Sequence, residues 1–413
     1  MEPKSIQYLR LITCFICLFS LVATKELAFV QAIWRHGDRA PMSHPYPNDP
    51  YNESAWPRGW QQLTNIGIAQ MNELGRYFRS KYGSFIAPHY VASQVYIQSS
   101  DSDRALTSAQ AFTSGFYPAQ NDSFQWQHGN PWQPVPIHAP APVEKDLLLK
   151  PTYVDCKNYD SIVDADDAKH AAVYNIQYAD MFKVLEEKTG IASFSYANLS
   201  NVYDITRELN NNLTDKQPAW TFQRWPKYGN RSTLDIISEI RRIRKMSKFD
   251  SPNKAKMTGG YLLNTWIKDA LKVANGTMKN PSRMMLYSAH DGSISALMYA
   301  MNVANDLLIP YASAVIMEVY KDNNDFLVEL FYRNDTSKPP YRLQIPGCSD
   351  RCTVQKMAEQ YSNMMVTSLS EHQEVCGTPI IDCNKSTSAP FSLALIILVV
   401  AMQLNLLQPS WIH

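Results

Sequence analysis

Three short stretches of this chain concentrate residue types that can act on an oxyanion: Arg35-His36-Gly37-Asp38-Arg39-Ala40-Pro41, Arg104, and His290-Asp291. Two guanidiniums flanking one imidazole make a strongly positive pocket, and the planar, always-charged donor fork of arginine matches phosphate oxygens. The same field disfavours imidazolium, because a nearby like charge penalises the charged form. A neutral ring keeps its lone pair, so His36 is the candidate nucleophile toward phosphorus even in mildly acidic surroundings. An alkoxide is a poor leaving group, which makes an acid such as Asp291 a chemical requirement. Taken singly, each piece has an ordinary reading: Arg-His as a solvated turn, or Arg104 paired with Asp101 or Asp103.

The run Arg-His-Gly-X-Arg-X-Pro, followed far downstream by His-Asp, resembles the signature of the histidine acid phosphatase family, closest to its lysosomal and prostatic branch. The resemblance covers most of the chain from about residue 27 to 380. It implies that Arg35, Arg39, Arg104 and His290 bind the phosphoryl group, that His36 attacks it, and that Asp291 protonates the leaving oxygen. The implied fold is α/β, a three-layer sandwich around a mixed central sheet as in phosphoglycerate mutases, with a smaller, mainly helical inserted domain. The expected substrate is a small phosphate monoester. No cofactor and no metal are expected, since the positive charge comes from arginine and no ligand cluster is visible. Asp38 occupies a variable place in the pattern and is expected to pair with an arginine.

Two alternatives remain beside this reading. A phytase-like inositol-phosphate phosphatase would need further basic residues around the pocket, and this chain has Gly292-Ser293 where that branch commonly has a hydroxyl residue and asparagine. A catalytically inactive surface glycoprotein would lack His36, Asp291 or a phosphate arginine, and none is missing.

The elements that must position these groups follow from periodicity. An apolar strand ends at the first signature, with Gly37 to release the backbone and Pro41 to stop it. Residues 94–98 form a second strand, and Arg104 falls where it gives way to a helix over 105–116, near amides that also favour anions. Residues 282–288 form a third strand ending at His290-Asp291. In an open α/β sheet, groups at the carboxyl ends of neighbouring strands meet in one crevice, so His290 and Asp291 should face His36. Thr64 is the expected N-cap of a helix over 63–82. Residues 43–58 read as a surface loop, and 312–320 with 325–333 as a hairpin at the sheet edge. Helices are expected at 172–189, 198–212, 233–246 and 259–274, and the run Arg241-Arg242-Ile243-Arg244-Lys245 reads as a solvated helix face. The expected domains are 25–154 with 266–380 for catalysis and 155–265 for a helical lid.

Charge and cysteine usage speak to compartment and partners. The 413-residue chain carries 39 Lys and Arg against 38 Asp and Glu, so nothing suggests a nucleic-acid footprint. Residues 1–24 read as a cleaved secretory signal. Eight sequons, at Asn52, Asn121, Asn198, Asn212, Asn230, Asn275, Asn334 and Asn384, agree with secretion. Five cysteines remain after cleavage, so an oxidising compartment leaves one over. Spacing does not assign the pairs, but the family resemblance implies Cys348 with Cys352 and Cys156 with Cys376, leaving Cys383. The apolar stretch 391–407 is expected to tether the protein as a single-pass span with an extracytoplasmic catalytic domain; a lipid anchor is the alternative. A homodimer is left open.

Overall fold

The computed structural model describes residues 25–119, 125–130, 132–348 and 351–378. The expected leader, the tail stretch 391–407, Cys383, Asn121 and Asn384 lie outside them. Strand β1 (Glu26–Arg35) is the organising element, and its side chains divide with period two. Val30, Ala32 and Trp34 enter one core with helices α1 (Asn65–Tyr82) and α2 (Asp103–Phe116). Phe29 and Ile33 enter the opposite core, against residues of a long helix further along the chain. Both faces of the strand are therefore buried, which gives the near-continuous apolar run its physical reason.

Strand β2 (Val95–Ser99) follows α1, and the chain then passes through a mainly helical stretch. That stretch comprises α3 (Lys157–Gln177), α4 (Ala179–Thr189), α5 (Leu199–Val202), α6 (Ile205–Asn210), the short strands β3 (Arg224–Trp225) and β4 (Arg231–Ser232), and α7 (Thr233–Met246). It has a hydrophobic core of its own around Met181, Leu185, Trp220, Ile236 and Ile240. Its α7 starts on a capping box in which Ser232 and Asp235 satisfy each other's backbone amides. Helix α8 (Pro252–Ala274) begins with Ser251 as N-cap and Pro252 in the first turn, and returns to the sheet, where Leu262, Leu263, Trp266 and Ile267 pack beneath Phe29 and Ile33.

The remaining elements are β5 (Met284–Ala289), α9 (Asp291–Ala300), β6 (Ala314–Asp322), β7 (Asp325–Arg333), β8 (Tyr341–Leu343), α10 (Val354–Gln360) and α11 (Leu369–Val375). The six-stranded sheet runs β2-β5-β1-β6-β7-β8, with β5 parallel to both β1 and β2 and the other pairs antiparallel. This is the expected mixed sheet between two helical layers. The predicted hairpin forms, with Asn323 at positive φ in its turn, but it is interior: β6 pairs with β1, and β8 covers β7. Sequence patterning shows the hairpin and not the three-residue strand that takes the edge.

Two further expectations change. Residues 43–58 are not solvated throughout: Tyr46, Asp49, Tyr51 and Trp56 are buried, Tyr46 by packing into the helical core and Tyr51 with its hydroxyl donated to Asp215 at 2.7 Å. The helix expected at 198–212 breaks into short turns and α5 and α6, and α3 begins well before residue 172. Disulfides join Cys156 to Cys376 and Cys348 to Cys352. Among the described residues no helix is long and apolar enough to cross a membrane.

Candidate active site

The carboxyl ends of β1, β5 and β2 lie side by side because the three strands are parallel, and each hands one group to a common cleft of about 1080 Å3. His36 follows β1, His290 and Asp291 follow β5, and Arg104 lies in the first turn of α2 just after β2. The structure brings all six predicted site residues, Arg35, His36, Arg39, Arg104, His290 and Asp291, onto the lining of that cleft. The His36 and His290 rings meet edge to face, with centroids 5.4 Å apart.

The loop after β1 is held by backbone close approach. A Cβ on Gly37 would stand 2.2 Å from the Gly67 carbonyl oxygen, and one on Gly67 would stand 2.0 Å from that of Asp38. Only glycine at both positions lets the loop seat on the first turn of α1, whose N-cap Thr64 also donates its hydroxyl to Asp38 at 2.7 Å. Asp38 therefore does not pair with an arginine as expected. Its second partner is Asn211 at 2.8 Å, just past α6, so the residue ties the signature loop to the helical insertion.

His36 is nearly fully buried, and its Nδ1 lies 2.8 Å from the Gly37 carbonyl oxygen. A carbonyl can only accept, so Nδ1 carries the proton and Nε2 keeps its lone pair. Burial, then the charges of Arg35, His290, Arg104 and Arg39, hold the imidazole well below its ordinary pKa. The ring is thus neutral in acid.

Three guanidiniums surround it. Arg35 donates to the Ile309 carbonyl at 2.5 Å and lies 3.8 Å over the Tyr311 ring, while Arg39 donates to the Ala40 carbonyl at 2.6 Å. Burial, then the neighbouring charge of Arg207, lowers Arg39 to about 9, which leaves it protonated in acid. Arg104 makes no ion pair with Asp101 or Asp103, and its Nε has no hydrogen-bond partner among the described residues. These unsatisfied donors are what a phosphoryl group would fill. His290 is placed by Ser100, whose Oγ lies 2.6 Å from Nε2, a positioning contact that no sequence pattern announces.

Asp291 is the first residue of α9. Its Oδ1 accepts from the Gly292 amide at 2.8 Å, and its Oδ2 lies 3.2 Å from the Lys245 ammonium. Burial alone would raise this carboxyl, but Lys245, Arg35 and Arg241 outweigh it and hold the group well below its ordinary value. Lys150, Arg207, Arg241, Lys245 and Lys338 complete the positive lining, and the sequence reading missed all five. The basic run on α7 is split by helical geometry. Arg242 pairs with Glu239 and Arg244 with Asp167, whereas Arg241 and Lys245, four apart, share the face turned to the cleft. The i,i+4 spacing was a usable signal, but which face met the pocket was not.

The described residues that group as metal ligands, Cys156, His372 and Cys376, have both sulfurs committed to a disulfide, so they do not form a metal centre.

A sheet that delivers a buried histidine into an arginine-lined crevice defines a phosphoryl-binding class of protein. The family model for the histidine phosphatase superfamily (branch 2) matches residues 26–333, and the chain belongs to that family. It is 34% identical over 340 residues to the prostatic acid phosphatase of Bos taurus, covering 82% of this chain and 85% of that protein. It is 32% identical over 415 residues to the lysosomal acid phosphatase of Xenopus laevis, covering 96% and 90%. Among solved structures, the phytase from Citrobacter braakii superposes with a TM-score of 0.61 over 84% of this chain and 99% of that one; at 16% identity the likeness is one of fold.

Proposed function

We propose that this chain is an acid phosphatase that hydrolyses phosphate monoesters through a phosphohistidine at His36. The observation that carries the reading is the Nδ1 contact of His36 with the Gly37 carbonyl, which leaves Nε2 bare within an arginine-lined cleft. Family membership and the acid phosphatase relatives support the same reaction class.

In the first step His36 Nε2 bonds to phosphorus and the bond to the leaving oxygen breaks, with Asp291 giving that oxygen its proton. Arg35, Arg39 and Arg104 take the charge that develops on the equatorial oxygens. Water then attacks phosphorus, gives its proton to Asp291, and releases His36. In the empty site Asp291 is ionised, so the proton arrives with the substrate: the ester binds as its monoanion and passes that proton to Asp291 as its oxygens settle among the guanidiniums. Turnover at limiting substrate therefore falls as pH rises above about 6, the second ionisation of a phosphate monoester.

Added methanol tests the shared intermediate. Esters with different leaving groups should divert the same fraction of phosphoryl groups to methyl phosphate, because all pass through one phosphoenzyme. A fraction that follows the leaving group would contradict this.

We also propose an extracytoplasmic catalytic domain, supported by the leader-like N-terminus, the two disulfides and the lysosomal and prostatic relatives. The apolar stretch 391–407 is its proposed tether. A chain ended at residue 381 should be secreted active; retention on membranes would refute the tether.

A further inference from the structure

Among the described residues eight arginines and lysines line the cleft, and only Arg207, Lys245 and Lys338 form an ion pair there, with Asp204, Asp291 and Asp335. Arg35, Arg39 and Arg104 surround His36, and one phosphoryl dianion balances two of their three charges. That leaves Lys150 and Arg241 unaccounted for. Lys150 is only 6% exposed, and its ammonium makes no hydrogen bond or ion pair among the described residues; it rests 4.1 Å from the Tyr153 ring centre. The Arg241 guanidinium has only the Tyr203 ring, at 6.0 Å, as a direct contact among the described residues. Carboxylates favour these cations only from a distance, and the foremost of them, Asp291, is already paired with Lys245, so the cluster carries more positive charge than its carboxylates balance and is incomplete without an anionic ligand.

Their position says which part of a ligand they meet. Lys150 and Arg241 both interact with Asp291, and Lys245 contacts it directly. In the mechanism above, Asp291 faces the leaving oxygen. Position 292 has no side chain: a Cβ there would stand in ordinary van der Waals contact with the Lys245 ammonium at 3.6 Å and the Thr152 hydroxyl at 3.9 Å, so the residue next to the acid lies directly beside this cation.

We infer that the cleft contains a second oxyanion subsite, formed by Lys150 and Arg241 beside Lys245, and that the preferred substrates are phosphate monoesters whose leaving group carries another phosphate or a carboxylate. The inference rests on the phosphatase reading and names the substrate class of that same site. Burial and then Arg104 lower Lys150 to about 7, so it is charged in acid and the subsite weakens toward neutral pH.

The test compares kcat/KM at pH 5 for propyl phosphate, propane-1,3-diol bisphosphate and 4-(phosphonooxy)butanoate, with the full chain and with Lys150→Met and Arg241→Met made separately. The ratio of each anionic-tail substrate to propyl phosphate cancels any change in the shared phosphoryl chemistry. The native protein should favour the bisphosphate by about tenfold or more, the scale of one charge-assisted hydrogen bond, and each substitution should cut that ratio several-fold. A gain confined to the bisphosphate identifies the second anion as phosphate; a gain shared by the carboxylate substrate identifies a general oxyanion site, and either supports the inference. A native ratio near two, the statistical factor for two equivalent phosphates, would overturn it, as would a ratio unchanged in both folded variants. Failure to hydrolyse propyl phosphate at all would overturn the phosphatase reading itself.

Discussion

The two walls of the cleft are built by different means. The sheet wall presents His36, Arg104, His290 and Asp291 from the ends of three parallel strands, with the two imidazoles fixed by buried contacts, His36 to the Gly37 carbonyl and His290 to Ser100. The helical wall presents Arg207, Arg241 and Lys245 from α6 and α7, on long side chains held by ion pairs and aromatic rings. It joins the sheet side through polar contacts, Asp38 to Asn211 and the buried carboxyl pair Asp49 and Glu208. Bond-making needs geometry fixed to a fraction of an ångström, which a sheet supplies; selecting a leaving group needs charge at about the right place, which cations on long side chains supply.

Substitutions on the two walls should therefore fail differently. His36→Ala should bring turnover to background while leaving the thermal transition in place, since it removes the attacking atom; substantial residual turnover in pure protein would break the distinction. Asp291→Asn should slow alkyl phosphates by about 10²–10⁴-fold and an activated aryl phosphate much less, because only a poor leaving oxygen needs a full proton. Equal losses on both would make Asp291 an orienting group. Arg104→Met should lower kcat/KM by about 10–100-fold on every ester, the scale of a hydrogen bond to a charged group, and an effect confined to one leaving group would move Arg104 to the other wall.

The smallest effect is expected at the joint between the walls. Two carboxyls that hydrogen-bond to each other need a shared proton, and burial, then the neighbouring carboxylate Asp49, raises Glu208 from 4.5 to about 9. Asp49 also accepts from the Tyr51 amide, and Glu208 from Gln217, with Asp204 and the Tyr46 phenol nearby. A group whose pKa is raised by folding contributes its full stability below the unfolded value and loses it as pH climbs through the folded one. Stability should thus decline between about pH 4.5 and 9, and Glu208→Gln should flatten that decline by about 2–4 °C in Tm. A Tm profile of unchanged slope would show that the pair does not titrate.

The difference between the walls also explains what the sequence discloses. The sheet wall is legible because local signals converge there: an apolar run ahead of each histidine, a glycine close behind it (Gly37 and Gly292), and a cap at Thr64. Arg104 needed the family resemblance to be separated from a surface ion pair. Lys150, Arg207, Arg241 and Lys245 stayed hidden because they converge only through tertiary packing, from segments with no common motif. The same limit applies to Asp38, whose partner Asn211 lies 173 residues away, and to the loop at 43–58, whose buried Tyr46 looks like an exposed aromatic until the helical core is placed against it.

The central claim is a covalent bond between phosphorus and His36 Nε2. Full-length protein mixed with labelled phosphate monoester, quenched in alkali within milliseconds and mapped by peptide mass spectrometry, should carry one phosphoryl group on His36, accumulating further in Asp291→Asn with an activated aryl ester if its hydrolysis is slowed more than its formation. Label on another residue, or rapid turnover with no label on His36 at any time point, would contradict the account.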